Sequence, residues 1–393
     1  MTQQKTRVIV IGGGYAGVLA ANHLRLNDNI DITLVNPRQK FVERIRLHQL
    51  VTGSDDAVVE YQEILGDGIG LTVDSVTRID APRRRIELAG GGELNYDYLI
   101  YAIGSHGATP VVPGAAEFAY PISELEHAEQ LKAAYHAAGA DAPITVIGAG
   151  PTGLEVASEF AEEGRRVTLV CGGVLGPYLH ARGRRAAARR LNRLGVTIID
   201  GPGSTAAEVL PGSVVLADGR TIASTVTVWT AGFAVPDLAA SSGLSTDGAG
   251  RLLTDETLTS VDDPRIVAAG DAAAPSNLPL RMSCQAAIPL GAQAANTVLS
   301  RIAGTEPKRL NQAFTGQCIS LGRDGGLVQL AHLDDTVIGL HIGGRTAAKI
   351  KEAVCKGTVS FLAREARKPG SYFWLKGGKR QQQLASTGEP VRP

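Results

Sequence analysis

Two glycine runs hold the residues whose spacing points most directly to chemistry. Gly12-Gly13-Gly14-Tyr15-Ala16-Gly17 follows the apolar run Val8-Ile9-Val10-Ile11 and precedes a stretch of helical composition. Gly12, Gly14 and Gly17 occupy the three glycine positions of a G-x-G-x-x-G turn. The first makes a tight turn, the second lets the backbone approach a pyrophosphate, and the third lets the helix pack closely. The helix start behind them, at Tyr15 and Ala16, offers free N–H groups and a positive dipole end to phosphate. Gly148, Gly150, Pro151, Thr152, Gly153 and Glu155 repeat the arrangement after Ile144-Thr145-Val146-Ile147. One such run is a weak signal. Two, each between a strand and a helix, predict two dinucleotide sites.

The ends of the second strands should read the adenosine ribose, usually through an acidic side chain. Asn36 stands there in the first unit, and its amide can still bond ribose hydroxyls, more weakly than a carboxylate. Cys171 stands there in the second, followed by Gly172 and Gly173. No carboxylate favours NADH at that position and no arginine adjoins it to attract NADPH, so the coenzyme is open between the two.

The elements that must position these turns form an internal echo. Arg7 to Val35 and Pro143 to Val170 both read strand, glycine turn, helix, strand. Short apolar runs rich in Val and Ile suit parallel strands buried on both faces, so two Rossmann-like units are expected. Leu71 to Asp80 and Arg85 to Leu88 read as short strands with a hairpin turn at Gly90-Gly91-Gly92. Ser123 to Ala138 reads as a helix with a Ser cap and Glu126 closing a capping box. Ser283 to Ala303 is helical around Pro289, a kink or a late start. Beyond about residue 310, three alternating strands and a basic helix, Thr346 to Arg367, make up a further unit.

Composition narrows the partners. The 393 residues carry 39 basic and 39 acidic side chains, so no net field recruits nucleic acid. The four cysteines have neither metal nor disulfide spacing, which favours a reduced, cytoplasmic setting. No apolar run reaches the roughly 20 residues a membrane span needs.

These motifs resemble the two-dinucleotide-binding-domain flavoproteins, the pyridine nucleotide–disulfide oxidoreductase superfamily, over roughly residues 7 to 305. Tyr98 to Ser105 is similar to the family's apolar strand and turn, and Ile266 to Asp271 to its second FAD motif. The resemblance implies an α/β fold of two Rossmann-like domains, the second inserted in the first, with a C-terminal α+β domain. Residues 1–115 and 252–310 would bind FAD and residues 116–251 NADH or NADPH. Residues 311–376 would form the C-terminal domain, and 377–393 a disordered polar tail. It further implies FAD contacts from Arg44, Val76, Ala102, Gly104, Gly270, Asp271, Gln285 and Ala286, with Asp271 on the ribityl chain, and a contact with the NAD(P) coenzyme from Gly232. Glu155 would lie near the nicotinamide, or else complement its helix dipole.

Phe41 to Leu50 lacks the redox cysteines of the disulfide-reducing branches, and no C-x-x-C occurs. The branch without them includes the type II NADH dehydrogenases, whose A-Q-x-A-x-Q segment matches Cys284-Gln285-Ala286-Ala287-Ile288-Pro289 at Gln285 and Ala287 but not at Pro289. Gln285 and Glu155 are thus the candidate catalytic side chains, with hydride chemistry on the flavin itself and a quinone-like molecule as acceptor. Cys284 would lie near the flavin, or is simply a small buried residue. His48 lines the flavin site or belongs to the core. Arg182, Arg184, Arg185, Arg189, Arg190 and Arg193 read as a solvated helix face. The stripe Ile350, Val354, Phe361 and Leu362, flanked by lysines and arginines and followed by Tyr372-Phe373-Trp374, suits a peripheral contact with the inner membrane face, a dimer partner or the C-terminal sheet. Two rival functions stay open: a soluble reductase or oxidase of a small aromatic metabolite, and an NAD(P)H-sensing flavoprotein that acts through partners.

Overall fold

The structure, a computed structural model, describes residues 5–386. Along the chain, β1 (Thr6–Ile11), α1 (Tyr15–Leu24), β2 (Ile30–Asn36), α2 (Leu47–Thr52), β3 (Ile69–Val73) and β4 (Tyr98–Tyr101) build the first unit. The second comprises β5 (Ala119–Pro121), α3 (Leu125–Ala137), β6 (Pro143–Ile147), α4 (Pro151–Glu162), β7 (Arg166–Val170), α5 (Ala181–Arg193), β8 (Thr197–Ile199) and β9 (Val226–Trp229). Next come β10 (Ile266–Ala268) and α6 (Cys284–Ile302), then β11 (Gly316–Ser320), β12 (Gly326–Ala331), β13 (Val337–Gly343), α7 (Gly344–Arg367) and α8 (Arg380–Ser386).

Two all-parallel sheets result, ordered β10-β4-β1-β2-β3 and β5-β9-β6-β7-β8. Because β10 pairs with β4, the second sheet lies within the sequence of the first. Apolar clusters cover both faces of each sheet. Val8 and Val10 pack with Leu19 and Leu290 on one face of the first, and Ile9 and Ile11 with Leu99 and Tyr101 on the other. This two-sided burial explains why the strands read as unbroken apolar runs rather than alternating ones. The third sheet, β11-β12-β13, is antiparallel, and its Ile319 and Leu327 join the same cluster as Leu154 and Phe160 of α4.

Three sequence expectations change. The capping box at Ser123 does not form: α3 starts at Leu125 without a side-chain cap, because Glu126 turns to the Arg38 guanidinium, with both contacts at 2.7 Å. The basic helix also buries a different stripe from the one expected. Ala347, Lys351, Cys355, Thr358, Leu362, Glu365 and Ala366 face inward, while Val354 and Phe361 are exposed. Finally, the expected polar tail makes specific contacts within its described part: Gly377 donates to Asn311 Oδ1, and Arg380, in α8, is buried against Glu256. Residues 387–393 of that expected tail lie outside the described residues. Among the described residues no helix is long and apolar enough to cross a membrane.

Candidate functional site

The two glycine turns are built alike. Gly12 has φ +99° and Gly148 φ +107°, left-handed conformations that a side chain would strain. A Cβ on Gly17 would lie 1.8 Å from Gly12 O, and one on Gly153 the same distance from Gly148 O. Only glycine therefore lets α1 and α4 start this close to their strands. Gly14 and Gly150, the residues preceding the two helices, face open space, where an added Cβ would meet nothing within 4 Å. Neither helix start has a side-chain cap or an acid in its first turn. Unpaired N–H groups and the dipole's positive end thus open onto room that a phosphate can enter.

The side chains around the first turn are largely committed to it. Asn36 Oδ1 accepts from Gly13 N at 2.9 Å, and its Nδ2 donates to Arg38 O at 2.8 Å. Tyr61, which the sequence did not single out, donates from its hydroxyl to Gly13 O. The amide expected to read a ribose therefore fastens the glycine turn. Ala102 O lies beneath Gly12, where a Cβ would come within 2.3 Å, and Gly104 at φ +71° is open. Tyr15 packs its ring edge-on against Phe41, and its hydroxyl is buried. Val76 opens the antiparallel strand Val76–Asp80 and packs against the cluster that includes Ile79 and Ile86.

Gly270 brings the second motif to the first: a Cβ there would sit 3.1 Å from that of Ala16. A polar chain crosses the same region. Arg44 Nη1 donates to Ser105 Oγ at 3.1 Å, and Ser105 Oγ donates to Asp271 Oδ2 at 2.7 Å. Arg44 Nε also reaches Ser123 O at the approach to α3, joining the two units. The sequence placed Ser105 at the end of the Tyr98 to Ser105 motif but gave its side chain no role, because a lone serine after a strand carries no spacing signal.

At the start of α6, Ser283 Oγ accepts from Ala286 N. The Gln285 amide lies between Arg281 Nη2 and Thr315 Oγ1. Pro289 sits inside this helix and cannot supply the N–H that Gln285 O would normally accept. Gln312 Nε2 fills that vacancy at 3.0 Å. The departure from the dehydrogenase signature is thus accommodated by a glutamine from beyond the helix.

Glu155 is not in the first turn of α4, so it does not serve the helix dipole. It is 7% exposed, and its Oε1 accepts from Ser320 N and pairs with Lys351 Nζ, both at 3.0 Å. Burial opposes both charges, but each outweighs that penalty for the other. The carboxyl is held below its ordinary range and the ammonium above its own. His48 is buried beside them, its Nε2 without a partner among the described residues, and burial lowers its pKa to about 4. Burial raises the Cys284, Cys318 and Cys355 thiols around Lys351, whose charge opposes the shift, so all three stay protonated at neutral pH. Lys351 read as a basic flank in the sequence; only the spacing of the inward stripe of α7 could have revealed it.

At the second turn, Thr230 Oγ1 donates to the carbonyls of Ile147 and Gly148. Gly232 O accepts from Ala108 N, so this residue abuts the connection between the units. Cys171 is buried, with its thiol toward Leu169 O.

Comparison with known proteins agrees with this construction. Residues 6–295 match the family described as pyridine nucleotide-disulphide oxidoreductase. An NADH dehydrogenase-like protein of Mycobacterium tuberculosis is 31% identical over 330 residues, 75% of this chain and 80% of that protein. A type II NADH:quinone oxidoreductase of the same organism is 28% identical over 347 residues, covering 77% and 74%. The sulfide:quinone oxidoreductase of Aquifex aeolicus superposes with a TM-score of 0.78 at 20% identity, over 93% of each chain, a likeness of fold. The family match spans both glycine turns and the return to the first sheet, and by it the chain belongs to the pyridine nucleotide-disulphide oxidoreductases and is an oxidoreductase.

Proposed function

We propose that the chain is an FAD-dependent oxidoreductase that takes hydride from NADH or NADPH and delivers electrons to a quinone or quinone-like acceptor. The observation that carries this reading is the matched pair of uncapped helix starts, one per parallel sheet, each behind a glycine turn open to a phosphate. When bound, FAD accepts the hydride and passes the electrons on. The N–H groups at Tyr15 and Ala16 would hold its pyrophosphate, with Gly12, Gly14 and Gly17 giving the approach. Asp271, oriented by Ser105 and Arg44, accepts a hydrogen bond from the polyol chain. Ala102, Gly104 and Gly270 would leave room for the cofactor, Val76 would be a further contact, and Asn36 fixes the turn.

The start of α6, with Gln285 and Ala286, offers a positive dipole end that would stabilise negative charge on a reduced flavin. Gly148, Gly150, Pro151, Thr152 and Gly153 would hold the nicotinamide coenzyme's pyrophosphate, with Gly232 and Cys171 as further contacts. Glu155, kept ionised by Lys351, would lie near the nicotinamide ring. Relatives named type II NADH:quinone oxidoreductase support the acceptor class. Exposed Phe373 and Leu375 lie in the same segment as Lys368 and Lys376, which suits peripheral contact with a membrane holding such an acceptor.

Anaerobic mixing tests the reading directly. NADH or NADPH should bleach the flavin absorbance, and a naphthoquinone or benzoquinone should restore it. If neither quinone reoxidises the flavin, the acceptor assignment fails and a small aromatic metabolite takes its place. Flotation with anionic vesicles tests the membrane contact separately.

A further inference from the structure

The adenosine ribose of a nicotinamide coenzyme is read where the second strand of its fold ends. Here that strand is β7, and Cys171 at its end is buried and uncharged at neutral pH. The next strand supplies what is missing. β7 and β8 run parallel with Val170 opposite Ile199, which sets Cys171 opposite Asp200. Cys171 N donates to Ile199 O at 2.9 Å. The two turns beyond the strands are stitched together as well. Gly172 N donates to Ser204 O, Gly173 N to Ser204 Oγ, and Gly201 N to Gly173 O. These bonds fix Asp200, an exposed carboxylate, at the edge of the Cys171 turn. Its charge adds to burial in pushing the Cys171 thiol up to about 12. The turn itself is open: added Cβ atoms on Gly172 and Gly173 would meet nothing within 4 Å.

Four of the six arginines of α5 turn elsewhere, while Arg185 and Arg189 are exposed. A Cβ on Gly339 of β13 would lie 3.8 Å from Arg182 Nη1, so that guanidinium faces the C-terminal sheet. Arg184 Nη2 bonds Leu179 O, Arg190 pairs with Glu162, and Arg193 Nε bonds Arg189 O.

We propose that Asp200 supplies the ribose-reading carboxylate that the end of β7 lacks, so that the chain selects NADH over NADPH. The inference rests on the reading that the second fold holds the nicotinamide coenzyme. The carboxylate accepts hydrogen bonds from a 2′-hydroxyl and repels a 2′-phosphate.

The test compares kcat/KM for NADH and NADPH with one fixed acceptor, together with calorimetric titration of NAD+ and NADP+. The proteins are the wild type, Asp200→Asn, and Asp200→Asn combined with Cys171→Asp. The wild type should favour NADH by at least about ten-fold. Asp200→Asn should raise both kcat/KM for NADPH and affinity for NADP+ by about ten-fold, and the combined variant should restore the NADH preference. Because Asp200 is exposed, the thermal midpoint of Asp200→Asn should stay near that of the wild type. A coenzyme ratio unchanged by Asp200→Asn, or a wild type that prefers NADPH, overturns the inference while leaving the nicotinamide site intact. Failure of both coenzymes to bind and to reduce the flavin overturns the nicotinamide reading, and the inference with it.

Discussion

The buried ionisable residues around Glu155 make the strongest residue-scale predictions. His48 titrates at about 4 in the folded protein, because burial disfavours its charged form, against roughly 6.5 unfolded. The unfolded chain therefore binds the extra proton between those values, and stability falls as pH drops through that window, by roughly 3 kcal/mol in total. Glu155 contributes with the same sign at lower pH. Its folded pKa is depressed, so its stabilisation is present above the unfolded value near 4.3 and lost as pH falls through the folded one. Chemical denaturation at pH 7 and pH 4.5 should show His48→Leu losing less stability on acidification than the wild type; an equal loss would remove His48 as the cause. Lys351→Met should cost several kcal/mol, because it strands a buried carboxylate. Glu155→Gln in the same chain should recover part of that loss in urea melts. Glu155 was legible in the sequence from its place in the glycine motif. Its partner was not, since a lysine in a basic helix looks solvated until the packing of α7 is known.

Among the elements, α6 shows how a local rule can be broken and repaired. Pro289 leaves Gln285 O without its helical donor, and Gln312 supplies one. Gln312→Leu should leave that carbonyl unpaired at a cost of about 1–3 kcal/mol. Pro289→Ala, which restores the N–H, should return most of the stability in the double variant. Denaturant midpoints of the four proteins in this cycle decide it, and additive losses would show that the two residues act independently. The sequence revealed the proline but not the glutamine, which lies in a segment without periodicity. The capping box at α3 went the other way: its residues match the pattern, yet Arg38 from the first unit takes Glu126. Local signals predict only the partners a side chain has nearby in sequence.

Over the whole molecule, the C-terminal strap joins pieces distant in sequence. Arg380 makes a bidentate pair with Glu256 and donates to Pro275 O, while Gln383 bonds Asp334 O. Both charged partners are buried. Arg380→Met alone should destabilise by about 3–5 kcal/mol, because it leaves Glu256 charged without a partner, whereas Arg380→Met with Glu256→Leu should regain most of it. Thermal melts distinguish these outcomes; equal losses in the single and double variants would mean that Arg380 acts through packing alone. A second strap runs from Glu365, whose carboxylate receives His23, Gly370 N, Ser371 Oγ and Tyr372 N, and so holds the aromatic segment against α1.

The sequence by itself determined the two dinucleotide folds, because strand burial, glycine turns and helix starts are set by residues close together in the chain. It also marked Asp271, Gln285 and Cys171, whose positions follow from those folds. Only the tertiary structure decided that Asn36 fastens a turn, that Lys351 faces Glu155, that Gln312 completes α6 and that Asp200 stands beside Cys171. Each of those is a pairing between distant segments. Its energy comes from desolvating polar groups together, a quantity that exists only once the chain has closed around them.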